Sequence, residues 1–423
     1  MPDAPSNGFE RAGGPLWRIF LLQGSITFDR FPAKIGQANE LQRKSSSDAA
    51  MILILEPNAD AAGADYRALT GQLDRLSGIE YRVHREVGAE VTLTEIYLIG
   101  NTGALTVEQM QVLPCVQKVV RVSEAYRVLG RHQHGDDRPA SFEYNGVHFG
   151  QDSLHVFAGL CAVDSPASAG AMMQALQRHD QVCTRMGAYK PRTNPYAFQG
   201  FGAKCLPYVF ELAGKYGIRV IAMEVTHESH VDEIRAALKA TGNPTGVMLQ
   251  IGTRNTQNFE LLKQVGRQQE FPVLIKRGFG ITLDESLNAA EYLASEGNRK
   301  VVFGLRGMKT NMGDPHRNFV DFSHVPVVRR LTRMPVCIDP SHSVGTRVVA
   351  PDGILDIFHV VAQGVIAGAN MVLVDFHPEP GKALVDGAQA LLLSELPHFL
   401  DDVALAREAY VRRAALAARH RPG

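Results

Sequence analysis

The sequence predicts an α/β protein in which a (β/α)8 TIM barrel follows a small ferredoxin-like α+β domain. Three observations lead to this fold class. From His155 onward, eight short apolar runs alternate with amphipathic helical patterns. The segment before them has the element order βαββαβ. Almost every apolar run of the second segment ends in a polar or charged residue, and the carboxyl ends of barrel strands meet at one mouth.

The segment 51–130 has the pattern of a ferredoxin-like domain. Period-2 alternation predicts strands, and helical spacing of apolar residues predicts helices between them. The predicted elements are strand 51–56, helix 66–76, strands 81–85 and 91–99, helix 107–113 and strand 116–123. This order is that of a split βαβ unit. Residues 1–50 form an N-terminal extension to which we assign no function, and the polar stretch 131–137 marks a domain boundary.

The segment 140–400 is predicted to form the barrel. Its eight apolar runs are 155–161, 182–190, 218–225, 246–252, 272–278, 300–307, 335–342 and 371–377. Helical patterns between them include 203–216, 231–241, 283–296 and 355–367. A doubly wound open sheet is the alternative, but it usually has fewer βα units. The final segment, 401–423, is rich in Ala and Arg and predicts an amphipathic helix that packs on the barrel or on a neighbouring subunit.

Composition excludes several function classes. The chain has 423 residues, with 44 Lys plus Arg against 44 Asp plus Glu, whereas a general nucleic-acid or membrane-surface binder normally carries a basic excess. The five cysteines are scattered without CxxC spacing, which argues against a disulfide framework and for a reducing compartment. The N-terminus lacks signal-peptide features, and no apolar run approaches the roughly 20 residues that span a bilayer. We therefore expect a cytoplasmic protein that binds neither nucleic acid nor membranes.

The predicted strand ends carry an excess of cations. These are Arg185, Lys190, Arg192, Arg254, Lys276 and Arg306, with Glu224 as an acid among them. One such residue could be a structural charge, but several cations buried at a barrel rim are unfavourable unless anions meet them. Arg binds phosphate through two hydrogen bonds and Lys binds it as a point charge. The sequence thus predicts a pocket for a small molecule with several negative charges.

A second group of residues has the chemistry of metal ligands. Cys161, His342, Asp375 and Asp386 lie at or just beyond the ends of the first, seventh and eighth predicted strands. Mixed sulfur, nitrogen and oxygen ligands suit a divalent transition metal such as Mn, Fe, Co or Zn. Taken alone, Cys161 would more often be a buried core thiol, and His342 could equally be a general base. Their shared location favours the metal site.

Five motifs closely resemble those of 3-deoxy-D-arabino-heptulosonate 7-phosphate (DAHP) synthases. They are GAYKPRTNPYAFQGFG at 187–202, LQIGTRNTQNFELL at 249–262, PVLIKRG at 272–278, PVCIDPSHSVG at 335–345 and HPEPGKALVDGAQAL at 377–391. One type I subtype of this family carries a ferredoxin-like domain before the barrel, so the resemblance extends over about 51–401. The spacing of five separate motifs makes the resemblance specific.

The resemblance implies a metal-dependent transferase, 3-deoxy-7-phosphoheptulonate synthase, at the first step of the shikimate pathway and hence of aromatic amino acid biosynthesis. Such an enzyme condenses phosphoenolpyruvate with erythrose 4-phosphate. It would be a homo-oligomer, a dimer or a tetramer.

The motifs also assign roles to individual residues by resemblance. The residues that would hold phosphoenolpyruvate are Arg185, Lys190, Arg254, Lys276 and Arg306, with Glu224 near its phosphate. Arg192 and Thr193 of KPRT would bind the phosphate of the aldose. The metal ligands would be Cys161, His342, Asp375 and Asp386. Lys190 could also transfer a proton, which makes Lys190, Cys161 and His342 the catalytic candidates.

Some positions depart from the family pattern. Leu160 stands where Pro is usual before the metal-binding Cys, and Asp375 stands where Glu is usual. The stretches 226–245 and 308–315 also differ. Such changes fit an alternative, a paralogous phosphoenolpyruvate-dependent aldol synthase of specialised metabolism that uses another aldehyde or aldose phosphate. A non-catalytic barrel that senses a phosphorylated metabolite is a third hypothesis, but a pure sensor needs no Lewis acid.

The segment 51–130 is predicted to be regulatory, because ferredoxin-like modules of this family resemble amino-acid-binding domains; a purely structural or oligomer-forming role is the alternative. Deletion of residues 1–130 should therefore abolish inhibition by Tyr or Phe. Initial rates of the full-length and shortened chains, measured with and without each amino acid, test this. Inhibition that survives the deletion would exclude the regulatory role.

Overall fold

The computed structural model describes residues 49–87, 91–100, 102, 105–121, 126, 128–131 and 140–420. The contacts divide the chain into two compact units, Met1–Val120 and Arg121–Gly423. Apart from its last two residues, the N-terminal extension predicted for 1–50 lies outside the described residues.

The first unit is a four-stranded sheet with two helices. Its elements are β1 (Ala49–Leu55), α1 (Ala64–Leu73), β2 (Ile79–Val87), β3 (Thr92–Gly100), α2 (Val107–Gln111) and β4 (Val116–Arg121). The sheet order is β2-β3-β1-β4, with β3 antiparallel to both β1 and β2. Leu53, Leu69 and Ile96 are fully buried, because alternate strand residues face the apolar sides of the helices. The predicted ferredoxin-like domain is confirmed.

The second unit contains a closed barrel of eight parallel strands. An antiparallel hairpin, β5 (Phe142–Tyr144) and β6 (Val147–Phe149), precedes it. The barrel strands are β7 (His155–Leu160), β8 (Cys183–Met186), β9 (Val220–Val225), β10 (Gly246–Ile251), β11 (Val273–Lys276), β12 (Val301–Leu305), β13 (Val336–Ile338) and β14 (Met371–His377). Strand β14 pairs with both β13 and β7, which closes the barrel. The predicted (β/α)8 fold is confirmed.

Helices connect successive strands and cover the barrel. They are α3 (Pro166–Gln177), α4 (Leu206–Lys215), α5 (Ser229–Ala240), α6 (Phe259–Arg267), α7 (Leu283–Ser295), α8 (Val325–Leu331), α9 (Pro340–Val344), α10 (Asp356–Ile366) and α11 (Leu396–Arg419). Local sequence sets their starts. In α7, for example, Thr282 and Glu285 form a capping box, which satisfies two backbone N–H groups that have no partner within the helix. A short strand, β15 (Leu391–Leu392), pairs with the end of β14.

The amino-terminal end of the barrel interior is closed and apolar. The ring of Phe149 stacks on Phe142 with centroids 5.2 Å apart and lies 6.2 Å from the ring of Phe157. The apolar cluster continues along the interior through Val220, Ala222, Met248, Leu274, Val302, Cys337 and Leu373. Because this end offers no polar opening, polar side chains of the strands can form a site only at the carboxyl end.

The cysteines and helices agree with the sequence predictions for these features. All five cysteines are free, and four of them are buried. None of the described helices combines the length and apolar character that crossing a bilayer requires. Helix α11 packs on the barrel through its first half, where Phe399 meets the rings of Phe358 and Phe376 edge to face.

Gly159 allows β7 and β8 to approach closely inside the barrel. A Cβ atom at this position would lie 2.1 Å from the carbonyl oxygen of Arg185. We expect Gly159→Ala to destabilise the protein by about 2 kcal/mol or more, because backbone atoms must move to admit the methyl group. Gly170→Ala in α3 is the matched control, since its Cβ would only touch Leu212 at 3.6 Å. Denaturant unfolding of both variants gives the comparison, and equal stability would contradict the prediction.

Candidate active site

A pocket opens at the carboxyl end of the barrel. Of the twelve residues that the sequence analysis assigned to a site, ten line it: Arg185, Lys190, Arg192, Thr193, Glu224, Arg254, Lys276, Arg306, His342 and Asp386. The other two, Cys161 and Asp375, contact lining residues from below, through Lys190 and Arg185 respectively. The structure therefore brings all twelve together, although they span 226 positions of the chain from Cys161 to Asp386.

The strand period explains how these side chains reach the pocket. Since alternate residues of a barrel strand face inward, each apolar interior residue is followed two positions later by another inward residue. Ala222 is followed in this way by Glu224, Leu274 by Lys276, and so on around the barrel. We call the resulting set the polar layer: Arg185, Glu224, Gln250, Lys276, Asp339 and Asp375. All six are at most 8% exposed.

Ion pairs stabilise several charges of the polar layer. The guanidinium of Arg185 donates a hydrogen bond to Asp375, and Lys276 Nζ donates one to Asp339 Oδ2 at 2.5 Å. Glu224 lies 3.7 Å from Lys190 Nζ. Buried charges require such partners.

The four predicted metal ligands converge beside the polar layer. Cys161 Sγ lies 3.7 Å from His342 Nε2 and 3.1 Å from Asp386 Oδ2, and His342 Nε2 lies 3.6 Å from Asp386 Oδ2. Ligand atoms that share one tetrahedral ion lie about 3.3–3.7 Å apart, as metal–ligand distances of 2.0–2.3 Å require. Cys161, His342 and Asp375 also offer ligand atoms within 4.8 Å of one another. The donor set thus fits a divalent transition metal.

Asp375 is held differently from the other three. Besides Arg185, Gln389 Nε2 donates to its Oδ2 at 2.5 Å, and its backbone N–H donates to Ser341 Oγ at 2.9 Å. Its carboxylate lies 3.8 Å from His342 Nδ1. These contacts fix the Asp375 carboxylate at the bottom of the pocket.

Asp339 fixes the orientation of His342, and the sequence analysis did not assign it a role. Its Oδ1 accepts the His342 backbone N–H and lies 3.0 Å from His342 Nδ1, which leaves Nε2 facing Cys161 and Asp386. Burial lowers the pKa of His342, but the carboxylates of Asp339 and Asp375 outweigh it and raise this pKa to about 10. Without a metal the imidazole is therefore protonated, and a bound metal would replace that proton. The sequence DPSH could have predicted this role, because an Asp three positions before the His can cap the helix that carries it; Asp339 is the N-cap of α9.

Arg306 differs from the other buried cations because it has no carboxylate partner among the described residues. It is 3% exposed, its Nη1 has no hydrogen-bond partner, and its guanidinium lies 4.8 Å from the centre of the Phe279 ring. Burial is the main reason that its pKa is lowered to about 10. A buried, unpaired guanidinium that lines a pocket is suited to bind an anion.

The cations near the mouth are more open. Arg254 is exposed and donates a hydrogen bond to Thr193 Oγ1 at 3.4 Å. Its guanidinium lies 5.5 Å from the centre of the Phe279 ring, which Arg306 also contacts. Arg192 and Thr193 lie on the loop that follows β8. This part of the pocket is therefore accessible from solvent and carries positive charge.

Four further polar residues line the pocket that the sequence analysis did not assign to it: Asn194, Gln250, Thr253 and Arg317. Gln250 lies beside Glu224 in the register of β10 and β9. Arg317 donates to Asp386 Oδ1 at 3.2 Å and to Gln389 Oε1 at 2.9 Å. Gln250 follows the strand-end rule but carries no charge, whereas Arg317 lies far from any strand end and gave no sequence signal.

Both units match known family models. Residues 131–409 match the DAHP synthetase I family, and residues 51–124 match the DAHP synthase ferredoxin-like domain. A phospho-2-dehydro-3-deoxyheptonate aldolase of Thermotoga maritima is 34% identical over 342 residues, which cover 81% of this chain and 93% of the relative.

A solved structure of a Thermotoga maritima DAHP synthase superposes with a TM-score of 0.64 at 31% identity, covering 86% of this chain and 98% of the other. A 2-dehydro-3-deoxyphosphooctonate aldolase of Bradyrhizobium is 26% identical over 269 residues, which cover 60% of this chain and 88% of the relative.

We expect Asp339→Asn to weaken metal binding by about 10- to 100-fold, because the loss of this carboxylate releases the His342 ring from its fixed orientation. Titration with Co²⁺, followed by thiolate-to-metal absorption and without substrate, measures the affinity directly. Asp352→Asn is the matched control, because Asp352 forms a comparable but exposed pair with His359. Equal Co²⁺ affinities for both variants would contradict the role of Asp339.

Proposed function

The chain belongs to the DAHP synthetase I family, whose members are metal-dependent enzymes that condense phosphoenolpyruvate with erythrose 4-phosphate, and we propose that this protein catalyses the same condensation. The products would be DAHP and inorganic phosphate.

The charge balance of the pocket is the observation that carries this proposal. Seven cations reach it: Arg185, Lys190, Arg192, Arg254, Lys276, Arg306 and Arg317. Four carboxylates face them: Glu224, Asp339, Asp375 and Asp386. Arg254 and Arg317 are exposed to solvent, whereas Arg306 is buried and has no carboxylate partner among the described residues. A ligand with several negative charges would compensate Arg306 together with the overall excess of three positive charges. Two phosphorylated substrates, one of them also a carboxylate, supply such negative charge.

The inner cations suit phosphoenolpyruvate. Arg306 offers an unpaired guanidinium for two hydrogen bonds to a phosphate or a carboxylate. Lys276 and Arg185 lie deeper, each already hydrogen-bonded to a carboxylate, so they are fixed in position before the substrate arrives. Such preorganised donors stabilise developing charge without reorganisation.

The outer residues suit the aldose phosphate. Arg192 and Thr193 lie two and three positions after Lys190 on the loop beyond β8, and Thr193 accepts a hydrogen bond from Arg254. A phosphate bound by Arg192 and Thr193 would place the rest of the aldose toward Lys190 and the metal ligands. The two substrates would then approach each other in reacting order.

A divalent metal held by Cys161, His342, Asp386 and Asp375 would supply a Lewis acid for the aldehyde oxygen. Lys190 would also stabilise the negative charge that develops on the aldehyde oxygen. Its Nζ lies 3.2 Å from Cys161 Sγ and 3.7 Å from Glu224. Burial lowers its pKa, but the electrostatic interactions with Cys161 and Glu224 outweigh this effect and keep the pKa raised. The ammonium is thus protonated and can donate its proton to the oxygen that becomes the new hydroxyl.

The remaining chemistry needs charge stabilisation more than further proton donors. C3 of phosphoenolpyruvate forms the new bond to the aldehyde carbon, water adds at C2, and the C–O bond to phosphate breaks. Of the two protons that the water loses as C2 becomes a ketone, one would restore the proton that Lys190 donated and the other would leave with the phosphate. Arg306 and Lys276 would hold the phosphate as it departs with the electron pair of that bond. An acceptor other than erythrose 4-phosphate is not favoured, because the relatives named for a different 2-keto sugar acid match less of the chain and at lower identity.

The purified protein with phosphoenolpyruvate, erythrose 4-phosphate and Mn²⁺ or Co²⁺ should release inorganic phosphate and form a seven-carbon 2-keto acid. Cys161→Ala should lose both this activity and metal binding, because the sulfur ligand is removed. Cys183→Ala, a buried thiol at the closed end of the barrel, is the matched control. Colorimetric phosphate release and mass spectrometry of the product, with a panel of aldose phosphates, test the proposal. The absence of product with every metal, or full activity of Cys161→Ala, would refute it.

A further inference from the structure

A third buried arginine, Arg277, lies directly beside the strand ends that carry Lys276 and Arg306. Arg277 follows Lys276 in sequence, but it faces away from the pocket because neighbouring strand residues point to opposite sides. Arg277 is 3% exposed. Its Nη1 lies 3.2 Å from Asp321 Oδ2 and donates a hydrogen bond to His324 Nδ1 at 2.8 Å. Asp321 is 1% exposed. The catalytic proposal uses none of these three residues.

Asp321 joins this pair to the end of the neighbouring strand. Its Oδ1 accepts the backbone N–H of Gly307 at 2.8 Å, and Gly307 directly follows Arg306. Gly307 has a φ of +83°, and a Cβ there would lie 2.8 Å from Asn318 Cβ, so the turn is fixed in a conformation that favours glycine. One carboxylate therefore holds both Arg277 and the backbone beside Arg306.

We propose that Arg277 is a positioning residue: it neutralises Asp321 and thereby leaves the Arg306 guanidinium unpaired for the phosphate of the substrate. This inference rests on the proposed function of Arg306. The three residues would act as a unit in which Arg277 pairs with the carboxylate that accepts the backbone N–H next to Arg306.

The electrostatics of Arg306 support this arrangement. Burial is the largest effect on its pKa, and neighbouring Arg317 and Arg254 lower it further, whereas Asp339 and Asp321 raise it. Asp339 already accepts a hydrogen bond from Lys276. With Asp321 engaged by Arg277, both carboxylates that act on Arg306 are neutralised by other cations. Arg306 thus keeps its full hydrogen-bonding capacity for an anion.

The proposal predicts an asymmetry between the two partners. Burial raises the pKa of Asp321, so without Arg277 this carboxylate keeps its charge only by interacting with another cation. Arg306, on which Asp321 already acts, would then be drawn away from the substrate. Loss of the Asp321 charge leaves Arg306 unpaired as before. A purely structural role predicts instead that both changes weaken the site alike, because either one breaks the same buried ion pair.

The experiment compares Arg277→Met, Asp321→Asn and the double variant in the full-length protein. Calorimetry measures the dissociation constants for phosphoenolpyruvate and for inorganic phosphate, and steady-state kinetics give KM and kcat. Arg277→Met should weaken both ligands by about tenfold, with KM raised more than kcat is lowered, whereas Asp321→Asn should weaken them by less than about threefold. The double variant should recover to within about threefold of the wild type. Arg412→Met, which removes an exposed pair with Glu408 on α11, is the control.

The outcomes separate this proposal from the proposed function. If the double variant binds as poorly as Arg277→Met, or if Asp321→Asn is equally impaired, Arg277 is only structural, while normal turnover by the wild type would still support the synthase. If the wild type binds phosphate with this pattern but makes no product, the role of Arg277 stands and the synthase proposal fails. Should Arg277→Met not fold, the other two variants decide: Asp321→Asn and the double variant should each bind phosphate within about threefold of the wild type, and a larger loss in either would overturn the proposal.

Discussion

Because charge in a barrel interior must be compensated, the polar layer constrains the rest of the site. In a closed parallel barrel, alternate residues of each strand face inward. Where the apolar filling ends, the next inward residues of six strands are Arg185, Glu224, Gln250, Lys276, Asp339 and Asp375, all buried. Each charge needs a partner in a region of low dielectric constant. Pairing with Asp375 and Asp339 fixes Arg185 and Lys276 before any ligand binds.

The same constraint separates structural from functional cations. Arg277 and Lys276 each have an acid partner, whereas Arg306 has none among the described residues. The unpaired guanidinium costs stability in the free protein, and a bound phosphate would remove that cost. In the proposed reaction, binding energy would thereby be concentrated on the leaving group. The proposed metal ligands depend on the same pairing, because Asp339 accepts a hydrogen bond from Lys276 and also contacts His342 Nδ1.

Much of the site could be predicted from sequence, because strand ends of a parallel barrel converge whatever the details of packing. The rule located the six cations and Glu224, and the mixed donor set located Cys161, His342, Asp375 and Asp386 near one another. It missed Arg317, which lies in a loop and reaches Asp386 only through the fold. It also gave no means to distinguish Lys276 from its neighbour Arg277, since both lie at one strand end.

The sequence by itself determined the order of elements, the closed barrel and the set of charges delivered to its mouth, because hydrophobic period and chain order are local properties. Tertiary structure alone decided which charges pair. Arg185 meets Asp375 across 190 positions, and Lys276 meets Asp339 across 63. Pairing depends on distances of a few ångströms between side chains on different strands. Those distances are set by strand register and packing, and no local pattern encodes them.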